Sequence, residues 1–132
     1  MRLGQLVRRV QINSGLSYKT SKEIIIMLVE SLASRLDDQN RQVFAANLPE
    51  KLQDIALSVY PATGHYDIIA HFMYYQNIGK FEAQRRITAA WQAISDSLSL
   101  PATEVTAPLI PISIKRRIFP SIVQVFQRGT SG

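Results

Sequence analysis

Residues 20–36, TSKEIIIMLVESLASRL, limit the choices of this chain more than any other stretch. Ile25, Leu28, Val29, Leu32 and Leu36 recur at three- and four-residue steps, which places them on one face of an α-helix. Ile24 and Ile26 widen the stripe until the first turns are apolar nearly all round, the pattern of a helix covered on several sides. The β-branched run Ile24-Ile25-Ile26 also suits a strand, but the helical period continues well beyond it, so the spacing predicts a central helix. Thr20 with Glu23 three residues on forms a capping-box pattern, and the helix is expected to begin there.

A counterpart lies 62 residues later, where Ile25 maps to Ile87, Leu28 to Ala90, Val29 to Trp91, Leu32 to Ile94 and Leu36 to Leu98. The match runs outward without a gap: Leu6, Val7 and Val10 fall on Ile68, Ile69 and Phe72, and Ala45, Leu48, Pro49 and Leu52 on Ala107, Ile110, Pro111 and Ile114. Side-chain class is kept more often than identity, as expected of a repeated supersecondary unit. The expected fold is all-α, with about eight helices in two four-helix repeats packed face to face. Repeat one covers 2–60, repeat two 65–120 and an extension 121–132, all within one compact domain spanning 1–132.

Each repeat can be read element by element. Residues 2–13 form a helix with Leu3, Leu6, Val7 and Val10 inward, ended at Asn13-Ser14-Gly15, where glycine takes the left-handed conformation cheaply. Asp37-Asp38 cap a third helix with Val43, Phe44 and Leu48 inward, and Pro49 is expected as the first residue of a fourth carrying Leu52, Ile55, Ala56 and Val59. After the short linker 61–64, residues 65–77 bury Ile68, Ile69, Phe72 and Tyr75 and leave Tyr74 outside, and 81–98 form the second central helix around Trp91. Pro108 falls where repeat one has Ala46, so the element there should be shorter or irregular. Ile110, Ile114 and Ile118 complete the last stripe before Pro120.

The Leu-Pro step carries a family resemblance. VQINSGL at 10–16, followed by LASRLDDQNRQVFAANLPEKL at 32–52, resembles the bacterial proteins gathered as domain of unknown function 2267. The most specific part is Arg35-Leu36, an acidic turn, an Ala-containing helix and then Leu48-Pro49. The second repeat keeps Leu98, Ala107 and Pro111, has Leu109-Ile110 in place of Asn47-Leu48, and adds Pro101 and Pro108. The resemblance implies a small helical tandem-repeat protein over nearly the whole chain. It assigns no chemistry and transfers no functional residues.

Composition narrows the function classes. The chain has 132 residues and no cysteine, which excludes disulfides, thiolate nucleophiles and cysteine metal sites and fits a cytoplasmic location. No segment approaches the roughly 18 apolar residues of a membrane span, and MRLGQLVRRV lacks the apolar core of a secretory signal. His65 and His71, six residues apart on one helix, point in different directions and make a poor metal pair. With no phosphate loop or nucleophile motif, the expected function is non-enzymatic, without metal or cofactor.

A net charge of +5 favours acidic partners. The leading expectation is a protein-binding or adaptor module whose contact surface is the C-terminal basic and apolar segment, with Lys115, Arg116 and Arg117 steering and Ile122, Val125 and Phe126 anchoring. The alternative is a nonspecific nucleic-acid binder in which Arg8, Arg9, Arg85 and Arg86 converge on phosphates.

Overall fold

The computed structural model describes residues 2–62 and 67–118, with side chains as far as residue 115. It is all-α and compact, and no strand occurs among the described residues. The helices are α1 Leu3–Ser14, α2 Tyr18–Ala33, α3 Asp38–Ala45, α4 Glu50–Leu57, α5 Ile68–Gln76, α6 Lys80–Ser95, α7 Leu100–Thr106 and α8 Ile112–Ile118, with a 3-10 turn at Ala107–Leu109 between the last two. None of these helices is long and apolar enough to cross a membrane.

Local chemistry sets the boundaries. Gly15 and Asn77 both adopt the left-handed conformation, with φ of 73° and 53°, and end α1 and α5, as expected where a carbon side chain beyond Cβ is absent or can bond locally. Ser17, Asp37, Asp67 and Ser99 cap α2, α3, α5 and α7 by accepting hydrogen bonds from the N–H groups of Thr20, Asn40, Ile69 and Ala102. Two starts differ from expectation. The Thr20 box is displaced by Ser17, which already satisfies the Thr20 amide and starts α2 at Tyr18. Pro49 is the extended residue before α4 and not its first helical one.

The helices of the second half begin and end in register with those of the first. Tyr18–Ala33 and Lys80–Ser95 lie 62 residues apart at both ends, and α3 and α7, α4 and α8, and the two left-handed caps keep the same offset where they start or stop. The offset is not kept at the start of α5, at the end of α8, or at the end of α7, where Pro108 turns the chain into the 3-10 segment, because proline has no N–H to continue the α-helical ladder.

The two central helices pack against each other. Ile24, Ile25, Leu28, Val29 and Leu32 of α2 and Ile87, Ala90, Trp91 and Ile94 of α6 are buried in one cluster. Leu6, Val7 and Val10 of α1, Phe44 of α3, Leu52 of α4, Ile68, Ile69 and Phe72 of α5, and Ile110 and Ile114 near the end complete it. Helices α3 and α7 meet on the far side, where the Ser99 N–H donates to the Asn47 side chain at 2.9 Å. Tyr75 corrects the expected inward face of α5: it is 68% exposed. Phe72 already faces the core from three positions earlier, and the stripe of this nine-residue helix ends with it.

Candidate functional site

Three of the four arginines expected to converge on phosphates have partners within the fold. Arg85 donates to both oxygens of Glu82 and to the Ser14 carbonyl, which ties α6 to the end of α1. Arg86 donates to the Gln76 side chain at 2.9 Å and pairs with Glu82 at 3.5 Å, which ties α6 to the end of α5. These bonds hold the Glu82 carboxyl below its usual range, chiefly through the hydrogen bond from Arg85. Arg9 pairs with Asp96 at 3.2 Å across α1 and α6. Arg8 is exposed and lines a shallow cleft of about 450 Å³ with Arg2 and Tyr18. Lys115 is half-buried on α8, and Arg116 and Arg117 fall in the last turns of that helix. Ile122, Val125 and Phe126 lie outside the described residues, as does His65.

A larger concavity lies elsewhere. A groove of about 1040 Å³ runs between the C-terminal half of α2, the end of α4 with the segment that follows it, and α5. Ile55, Val59 and Ala70 give it an apolar lining, and Ser31, Arg35 and His71 give it polar groups.

The groove arises from a break in the register between halves. Helix α1 packs closely along α6, whereas α5 makes no comparable contact with α2. On the close side the Asn13 side chain donates to the Ala89 carbonyl at 3.4 Å, and Arg9 meets Asp96. Ala89 and Ala93, one turn apart on that face, are buried and small, which lets two helix backbones approach. The residues 62 earlier are Met27 and Ser31, and those in place of Arg9 and Asp96 are His71 and Ser34. Methionine replaces one alanine, serine the other, and the ion pair is not repeated at those positions, where α5 makes no comparable contact with α2.

Local bonding fixes the groove's polar end. The Arg35 guanidinium donates to the Ser31 carbonyl at 2.6 Å, a cation at the end of α2 where the helix dipole favours it. The Ser34 hydroxyl donates to the same carbonyl, and the Ala62 N–H donates to the Ser34 carbonyl at 2.8 Å, fastening the segment after α4 over the end of α2. Ser31 contributes to the lining, and its hydroxyl is buried beneath that surface without a hydrogen-bond partner. Tyr60, Tyr74 and Tyr75 stand at the walls with 90%, 80% and 68% of their surfaces exposed. The ring centres of Tyr74 and Tyr75 are 5.1 Å apart, edge to face, and His71 lies 4.6 Å from Tyr75.

Burial tunes the titrating groups towards their neutral forms. Desolvation raises the Glu30 carboxyl above its ordinary value. Desolvation, followed by the charge of Arg35, lowers His71 below the ordinary imidazole value. Burial also lowers Arg35, with Asp67 opposing. A neutral imidazole can accept a proton or a hydrogen bond, and perturbed groups in a cleft mark a site that handles a ligand.

The shifts have opposite consequences for stability. The folded His71 resists protonation, so as the pH falls through the ordinary imidazole range near about 6.5 the unfolded chain takes up the proton first and the fold loses stability. The contribution of His71 is thus present above that range and lost below it. Glu30, being raised, contributes below the ordinary carboxylate range and loses its contribution as the pH rises through its folded value. The wild-type melting temperature should therefore fall further between about pH 7 and about pH 5.5 than that of His71→Gln, as measured by circular dichroism at fixed ionic strength. Parallel curves would remove His71 from the account.

No family model, curated protein or solved structure matches this chain. Sequence reasoning weighs His71 only as half of a poor metal pair and leaves Tyr74 outside, and it misses Glu30, Ser31, Arg35 and Tyr60. One signal was present. Glu30 and Ser31 interrupt the otherwise apolar second half of α2, and Tyr74-Tyr75 stand together on a helix whose core stripe is already complete.

Proposed function

We propose that the protein is a non-enzymatic binding module, built from two copies of one four-helix unit, that takes a small ligand in the groove between α2, α4 and α5. The observation that carries this reading is a concavity of about 1040 Å³ with an apolar lining, a few polar side chains and tyrosines exposed at its walls. Ligand sites are usually concave and mostly apolar, with a few placed polar groups, and run to roughly 300–1,000 Å³. The common helix register supports the two-copy origin, as does the family resemblance of the Leu-Pro segment. The engagement of Arg9, Arg85 and Arg86 with carboxylates within the fold weighs against the phosphate-binding alternative.

The test uses a substitution that fills the groove without disturbing the core. Ala70 is exposed on α5 and lines the groove. Small molecules of varied charge are screened by thermal shift against the wild type and Ala70→Trp. A ligand present at 100 times its Kd adds about 2.7 kcal/mol, equivalent to several degrees in a domain of this size. At least one compound should stabilise the wild type and leave Ala70→Trp unchanged. If every stabilising compound acts equally on both, the groove is not the binding site.

A further inference from the structure

We propose that the groove is selective for a small organic cation, an ammonium or pyridinium carrying an apolar body, with Tyr60, Tyr74 and Tyr75 around the charge and Glu30 opposing it at the rim. The inference rests on the groove being a binding site and adds the chemical class of its ligand.

The walls supply the first argument. An aromatic ring carries negative charge density on its faces, so tyrosines left in solvent beside a cleft attract cations more than anions. Three such side chains from two different elements line this groove, Tyr60 after α4 and Tyr74 and Tyr75 on α5.

The charges supply the second. Arg35 lies in the field of Asp67, and the neutral form of His71 is favoured by its burial. Glu30 adds a negative charge and forms no ion pair with any described residue. Its carboxyl is raised by desolvation alone, a cost that a bound cation offsets by favouring the ionised form. The chain as a whole carries +5, so attraction of a cation must come from this site and not from the overall field.

The probe pair is 4-(4-dimethylaminostyryl)-N-methylpyridinium and its parent lacking the N-methyl group, compared at mildly alkaline pH where the parent is uncharged. The two share ring system and shape. Fluorescence titration of the full chain should show one saturable site for the pyridinium, about tenfold tighter than for the parent. Glu30→Gln should weaken the pyridinium by a similar factor. Glu104→Gln, which removes the same charge from an exposed position on α7, should leave it unchanged, and Ala70→Trp should abolish both complexes. Equal affinity for the two dyes, or an equal effect of the two glutamine variants, overturns the cation inference while the groove stands as a site for uncharged ligands. Binding that survives Ala70→Trp, or no binding of either dye, overturns the groove as well.

Discussion

Arg41→Ala should destabilise the fold by about 1–3 kcal/mol in urea denaturation followed by circular dichroism, the cost expected for one stranded buried acceptor, the Leu36 carbonyl. Arg41 is one of the few charged residues in the interior, with only 10% of its side chain exposed. Its Nε donates to the Ala33 carbonyl at 2.9 Å and an Nη donates to the Leu36 carbonyl at 2.7 Å. These carbonyls belong to the end of α2 and the turn after it; the Ala33 carbonyl also accepts from the Leu36 N–H at 3.2 Å, so the Leu36 carbonyl is the one that depends on the guanidinium. The third bond, to Asp38 at 2.9 Å, joins a carboxylate that is 95% exposed, and such a pair contributes little. The variants therefore separate cleanly. Asp38→Asn should cost less than about 1 kcal/mol, and Arg41→Lys should recover only part of the loss, since an ammonium cannot present the same fork. A loss below about 1 kcal/mol in Arg41→Ala would mean that water serves the Leu36 carbonyl and that the guanidinium is dispensable.

Phe72→Ala should cost about 3–5 kcal/mol, the range for deleting a buried phenyl ring from a packed core. Phe72 is fully buried, and with Ile68 and Ile69 it provides all the buried surface of α5. A nine-residue helix is too short to persist on its own, so its position depends on this anchor. The groove should suffer together with stability, because α5 forms one wall. Tyr74→Ala and Tyr75→Ala offer the contrast. Both rings are largely in solvent, and their removal should change stability by no more than about 0.5 kcal/mol while weakening pyridinium binding. If the tyrosine variants were as destabilised as Phe72→Ala, the rings would be structural and the groove would lose its aromatic recognition surface.

That contrast marks where the sequence is informative. The stripes around Ile25 and Ile87, the left-handed cap at Gly15, the Asp37 cap and the disruption at Pro108 are legible because each depends on residues within about one turn of one another. Even the local errors were local in kind. Ser17 and Thr20 are both competent caps, and the earlier one took the start of α2 because its hydroxyl already satisfies the Thr20 amide. Tyr75 lies at the fraying edge of the apolar stripe of α5, where periodicity alone does not settle which side of a short helix it occupies.

The functional geometry was not legible in the same way, because it is made by residues far apart in sequence. Arg85 and Arg86 look like a basic pair offset only by Glu82 one turn earlier until the fold brings Ser14 and Gln76 to them. Arg41 looks like one more surface cation until α3 folds back on the end of α2.

By itself the sequence determined the all-α class, the helices and most of their inward faces, since these follow from backbone periodicity and capping chemistry. Only the tertiary structure decided that the register would produce one close interface and one open one. Ala89 and Ala93 admit α1 against α6, while Met27 and Ser31 stand at the corresponding positions of α2, where α5 stays apart and leaves the groove. That outcome depends on how closely two backbones can approach past the side chains between them, a property of paired surfaces that neither helix carries alone.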